Sequence, residues 1–165
     1  MPEDKRIVKT KIALKKSLNE LLPQKPFEQI TVKEICDASY TSRITFYTYY
    51  GDKYELVGEI FEDMIALARV NYDQLQKENN QDGEPVCSYV NLLDCIFNLY
   101  HRHIEFFSHT APSRSPYLNF TFTTHIFQWV EKCVQRESAK LPPKYTIRQT
   151  TAFICNGLWA FINEC

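Results

Sequence analysis

Two helix-start signals, separated by a short break, constrain this sequence more than anything else in it. In Thr31-Val-Lys-Glu34 a threonine hydroxyl can cap the amide three residues on while the glutamate reaches back, the reciprocal capping box of a helix start. A short helix is therefore predicted over about Thr31 to Ala38, burying Val32, Ile35 and Cys36. Ser39-Tyr40-Thr41 breaks the pattern, Ser42 is a good N-cap, and Arg43 to Tyr50 reads as a second short helix ended by Gly51. Two short helices across a tight turn make a helix-turn-helix.

The flanks read as helix as well. Apolar residues recur at spacings of three and four, alternating strand patterns are absent, and there are only four glycines, so the expected fold class is all-α. A first helix is predicted from about Lys5 to Leu22, with Leu14, Leu18, Leu21 and Leu22 on one stripe and Pro23 and Pro26 as breakers. Asp52-Lys-Tyr-Glu55 is a second capping-box pattern. It opens a long helix carrying Leu56, Ile60, Met64 and Leu67 that fades into a polar loop near Asn79 to Gly83. Further helices are expected at about Cys87 to Phe107, Tyr117 to Ser138 and Tyr145 to Glu164, separated by Pro112/Pro116 and Pro142/Pro143. The expected domains are 1–58, a three-helix helix-turn-helix head, and 59–165, a helical-bundle regulatory and dimerisation body. No stop signal follows Phe161 to Cys165, so a terminal helix is expected to be lacking.

The net charge is only -1, but it is unevenly spread: residues 1–58 carry ten Lys/Arg against eight Asp/Glu, and the remainder nine against twelve. Lys5, Arg6, Lys9, Lys11, Lys15 and Lys16 follow one another with no acid between them, and a local basic patch matters more to phosphate than the global sum. The basic side of the first helix is expected to face outward. The charged N-terminus lacks a signal peptide's apolar core, and no stretch approaches the ~20 apolar residues of a membrane helix, so no membrane partner and a cytoplasmic location are expected. Six scattered cysteines with no CxxC pair argue for reduced thiols rather than zinc or disulfides. His101 and His103, two apart on a helix, point away from one another, and with His109 and His125 they carry no metal expectation. No catalytic or phosphate-loop motif is present, so neither an enzyme nor a cofactor is expected.

The second short helix has two distinct sides. Phe46 and Tyr50 project together as an anchor, whereas Thr45, Thr48 and Tyr49 project elsewhere. The major groove admits one helix and is read by hydrogen-bonding side chains and by apolar contact with thymine methyls. Arg43, Thr45 and Thr48 supply the first kind of contact and Ile44 the second, while Tyr47, Tyr49 and Lys53 suit phosphate. From spacing alone, the same aromatic residues serve equally as core or as a surface for a partner protein.

Pro26-Phe27-Glu-Gln-Ile-Thr31-Val-Lys-Glu-Ile-Cys36, followed by Ser42-Arg-Ile-Thr-Phe-Tyr47-Thr-Tyr-Tyr50-Gly-Asp-Lys53-Tyr-Glu-Leu56, resembles the N-terminal domain of the TetR/AcrR family over about residues 7–60. The resemblance implies a sequence-specific transcriptional regulator of double-stranded DNA. Thr31 is then a phosphate contact at a helix start, Ser42, Arg43 and Thr45 open the recognition helix, and Tyr47, Tyr49 and Lys53 act as phosphate clamps. Tyr40 and Thr41 depart from the family's glycine and small aliphatic residue in the turn. A positive φ is unfavourable there for a non-glycine residue, and Tyr40 is expected to reach the DNA backbone.

In the body the resemblance is loose, carried by Ala152-Phe-Ile-Cys-Asn-Gly157-Leu-Trp159, and implies a homodimer through the C-terminal helices on a two-fold symmetric operator. It also implies a repressor released by a small-molecule effector, with the helix from Asp52 as the lever. Pockets are mostly apolar, so Phe97, Tyr100, Phe106, Phe107, Phe120, Phe122, Phe127 and Trp129 are the candidate lining, with core packing as the alternative for each. Two other readings stand beside this one: a module of the same fold that acts through protein contacts without binding DNA, and a small-ligand carrier or enzyme.

Overall fold

The computed structural model describes residues 5–140 and 144–163, which form helices and connecting turns with no strand among them. Pro142, Pro143, Glu164 and Cys165, on which sequence expectations fall, lie outside these residues. In chain order the helices are α1 (Lys5–Leu21), α2 (Val32–Ala38), α3 (Arg43–Tyr49), α4 (Lys53–Asn79), α5 (Pro85–Arg102), α6 (Ile104–Phe107), α7 (Pro116–Ser138) and α8 (Ile147–Asn163). They divide into two compact units. The first holds the described residues up to Glu62 together with His103–Thr121; the second holds Asp63–Arg102 and the described residues from Phe122 onward.

Local capping chemistry explains most of the boundaries in the first unit. Thr31 caps α2 in a complete box: its hydroxyl accepts from the Glu34 amide, and the Glu34 carboxylate accepts from the Thr31 amide at 2.9 Å. Ser42 caps α3, accepting from the Thr45 amide at 3.0 Å. At α4 the expected box is displaced by one residue. Asp52 accepts from the Tyr54 and Glu55 amides, but the Glu55 carboxylate takes the Gly51 amide at 2.7 Å rather than that of Asp52. A Cβ on Gly51 would stand 3.2 Å from that carboxylate, so the missing side chain admits the contact.

Leu14, Leu18 and Leu22 are buried, while Leu21 is only half-buried. The buried Ser17 hydroxyl lies 3.1 Å from the Ile35 carbonyl, tying α1 to α2 without leaving a polar atom unsatisfied. Lys11 and Lys15 do not face outward as free cations. Both pair with Glu59 of α4, at 3.3 and 2.8 Å. Burial raises the Glu59 pKa, but hydrogen bonds from Lys15, Tyr50 and Lys11 outweigh it and leave the group below its ordinary value.

The helix expected over Cys87 to Phe107 breaks at His103, whose φ of -119° and ψ of 27° leave the helical region. The break sends Phe106 and Phe107 into the first unit, where Phe106 meets Phe61 edge-to-face at 5.5 Å. The same stretch then grips the turn between α1 and α2. Arg114 donates to the Leu22 and Pro23 carbonyls, both at 2.9 Å, and the Phe27 amide donates to the Ser115 hydroxyl. Tyr117 stacks on Phe27 with centroids 5.6 Å apart. The first unit thus contains a segment, 103–121, that the sequence reading assigned to the body.

In the second unit the buried stripe of α4 runs through Met64, Ile65, Ala68 and Tyr72, and Leu67, expected on it, is half exposed. The polar residues after α4 do more than mark a loop. The buried Asn80 amide nitrogen donates to Gln76, the Glu84 carbonyl and Ser88, and its oxygen accepts from the Glu84 amide, which sets the start of α5. Cys36, Cys87, Cys95, Cys133 and Cys155 are free thiols. No described helix is long and apolar enough to cross a membrane.

Hydrogen bonds from the Lys25 ammonium, and then from the Thr31 hydroxyl and amide, lower the Glu34 pKa from 4.5 to about 2. Because the folded value is depressed, this carboxylate's contribution to stability is complete above 4.5 and is lost as pH falls toward 2. Carbon-detected NMR titration is expected to place the Glu34 midpoint near 2, and Lys25→Ala to raise it toward the ordinary value.

Candidate nucleic-acid interface

The short helix α3 is held by one side and open on the other. Phe46 is fully buried, Tyr50 is nearly so, and their rings lie 5.6 Å apart. Ile44, Thr45, Thr48 and Tyr49 line an open groove with Tyr40, Thr41 and Ser42 of the preceding turn, closed along one edge by Arg6, Ile7 and Thr10 of α1. Lys5 and Lys9 line the adjoining surface with Arg6, Ser39 and Thr41. Ile44, at 84% exposure, presents an aliphatic side chain to solvent.

The hydroxyls here are already oriented. Thr48 donates to the Ile44 carbonyl at 2.9 Å, so in this state it presents its methyl group and its oxygen lone pairs outward. The Ser42 and Thr45 hydroxyls share a hydrogen bond of 2.9 Å at the start of the helix. Either can rotate to a new partner when one arrives.

Tyr40 combines two unusual properties. Its φ is 53°, the only positive value at a non-glycine among the described residues, and its side chain is 99% exposed. The left-handed conformation costs an ordinary residue roughly 1–2 kcal/mol, and no packing of the ring offsets it. The backbone closes the turn with the Thr41 amide donating to the Cys36 carbonyl at 2.9 Å.

The eleven residues expected at DNA therefore separate into groups. Seven, Tyr40 to Ser42 with Ile44, Thr45, Thr48 and Tyr49, line the groove. Arg43 and Tyr47 are exposed, one helical turn apart, on the flank of α3. Thr31 caps α2 at an exposed position, with its hydroxyl committed to Glu34.

Lys53 departs from expectation. Its ammonium donates to the carbonyls of Phe27, Glu28 and Ile30 at 2.8, 2.8 and 2.7 Å, which uses all three of its protons, and it lies 4.7 Å from the centre of the Phe27 ring. Burial pushes its pKa below the ordinary value against the opposing pull of Glu28. In this structure it clamps the α1–α2 turn. Sequence reasoning missed Arg6, Ile7 and Thr10 as one edge of the groove, although the acid-free basic run was their signal.

The candidate effector residues do not converge. Phe122 and Phe127 line a cavity in the second unit. Trp129 is buried edge-to-face against Tyr72, and Phe97 packs on Phe161. Tyr100 is half-buried and does not line that cavity. Phe106 and Phe107 belong to the first unit's core, and Phe120 is 68% exposed.

Residues 17–60 match the family described as "Bacterial regulatory proteins, tetR family". An uncharacterized HTH-type transcriptional regulator of Bacillus subtilis (strain 168), YxbF, is 29% identical over 103 residues, which cover 58% of this chain and 24% of that relative. The chain thus spans about a quarter of the relative's length.

Lys53→Met is expected to lower stability by about 2–3 kcal/mol, the scale of hydrogen bonds made by a charged donor, read from the urea midpoint. Well below that midpoint, the salt slope of DNA binding should match the parent chain; a slope reduced by about 1 would make Lys53 a phosphate contact after all.

Proposed function

We propose, from the match of residues 17–60 to the tetR family of bacterial regulatory proteins, that the chain is a sequence-specific DNA-binding transcriptional regulator whose reading surface is the groove face of α3. The observation that carries this reading is the division of α3 into a buried aromatic anchor and an open polar face beside the basic first turn of α1. Thr45, Thr48 and Ile44 meet base edges. Arg43 and Tyr47 on the flank, and Lys5, Arg6 and Lys9 on α1, meet phosphate, fixing register without reading sequence.

The regulator works as a homodimer on a palindromic operator. Supporting this is the outer face of α8, where Phe153 is 83% and Phe161 57% exposed with Gly157 and Ala160 between them. A Cβ on Gly157 would meet nothing within 4 Å, so another helix can approach closely along this strip. Repression relieved by a small molecule is the mode of action, the ligand shifting the free energy of DNA binding by its unequal affinity for the two states. A protein-interaction module is favoured only by the exposure of Tyr40 and Ile44, and it predicts that Arg43→Ala leaves activity intact.

The test is selection of duplex fragments by the purified chain, followed by titration of the best fragment at two salt concentrations. A two-fold symmetric site whose affinity drops steeply with salt is expected. Recovery of nothing above background from folded protein would transfer the case to the protein-interaction reading. Tyr40→Gly separates stability from function. Relief of the left-handed strain, roughly 1–2 kcal/mol, is largely offset by the unfolded-state entropy of glycine, about 0.5–1 kcal/mol. The melting temperature should therefore hold or rise slightly while DNA affinity drops by about two- to tenfold, the value of one hydrogen bond.

A further inference from the structure

We propose that the cavity of the second unit is the regulator's ligand site and that it accepts a small uncharged aromatic molecule about one ring in size. This rests on the ligand-responsive reading above and adds the chemical class of the ligand. The helix α8 has two apolar sides. While Phe153 and Phe161 face out, Cys155, Trp159 and Ile162, at spacings of four and three, line the cavity opposite Phe122, Ile126 and Phe127 of α7.

Size sets the first limit. The cavity holds about 150 Å³, whereas pockets for drug-sized ligands run to roughly 300–1,000 Å³. An engineered apolar cavity of roughly 150 Å³ in another protein stays dry and takes up benzene. A single ring matches this volume.

Charge sets the second. Among the described residues no Asp, Glu, Lys, Arg or His lines the cavity, and a buried ion without a partner is strongly disfavoured. Burial holds the Cys155 thiol up at about 11, so at neutral pH the lining carries no thiolate to attract a cation or attack an electrophile. The rings supply the preference for an aromatic guest: Phe122 and Trp159 sit with centroids 6.2 Å apart at 42°, leaving edges and faces to pack against. Asn156 and Thr123 are the polar members of the lining and provide for one hydrogen-bonding substituent.

Benzyl alcohol, benzoate and benzylamine share one ring and differ in charge. Each is titrated into the full chain, followed by the Trp159 indole N–H and the Ile126 and Ile162 methyl resonances, with DNA affinity measured in parallel. Benzyl alcohol is expected to shift these resonances at least tenfold more tightly than either ion, and Cys155→Phe, which fills the space, to abolish the shift. Equal binding of an ion, or no shift at these residues with benzyl alcohol at millimolar concentration, overturns the proposal even if Cys155→Phe fails to fold, because both are read on the parent chain. Shifts without a change in DNA affinity sustain the ligand class and remove the regulatory coupling. Shifts in a chain that binds no DNA at all sustain the ligand class and remove the proposed function.

Discussion

The ammonium of Lys53 is the interaction on which the first unit depends. Three carbonyls from the turn between α1 and α2 converge on it, with Phe27 packed against it and Tyr54 and Tyr117 against Phe27. A turn of this kind otherwise leaves its carbonyls to water and its backbone free to move. Here one cation at the start of α4 fixes the end of α1 relative to α2, and α3 inherits that position through the short turn at Tyr40. Arg114 and Ser115 hold the same turn from the other flank. The reading helix is thus positioned by a polar clamp behind it and by Phe46 and Tyr50 beneath it.

That support lets the exposed side of α3 be chosen for contact rather than for stability. Ile44 and Tyr40 are both unfavourable in isolation, one as an exposed aliphatic residue and the other as a strained, solvated aromatic. Features of this sort concentrate where a surface is made to meet something else. The two outer basic residues of α1, Lys5 and Lys9, remain exposed beside the groove, whereas Lys11 and Lys15 are drawn inward by Glu59. A single acidic residue on α4 thus divides one basic run into a paired half and an exposed half.

What could be read from the sequence was local. The Thr31–Glu34 box, the Ser42 cap and the two faces of α3 depend on residues within one helical turn, and each stands as expected. The positive φ of Tyr40 was legible because the resemblance placed a glycine there. The role of Lys53 was not, since its partners lie in a turn far upstream and a lysine at a helix start looks the same whether it faces carbonyls or phosphate. The break at His103 carries no proline or glycine, and it goes with long-range contacts such as the pairing of Phe106 with Phe61. The eight candidate effector residues scattered for a related reason: aromatic content alone does not distinguish the core of one unit from the cavity of another. The α8 residues that line the cavity were assigned to an interface because one helix carries both faces.

The decisive measurement is to map a selected duplex onto the chain by amide and methyl chemical shifts. The largest changes are expected on Tyr40 to Tyr49 and on Lys5 to Thr10, with Phe46 and Lys53 affected only indirectly. Changes centred on α8, or none on α3 with DNA at saturation, would contradict the proposal that α3 is the reading helix.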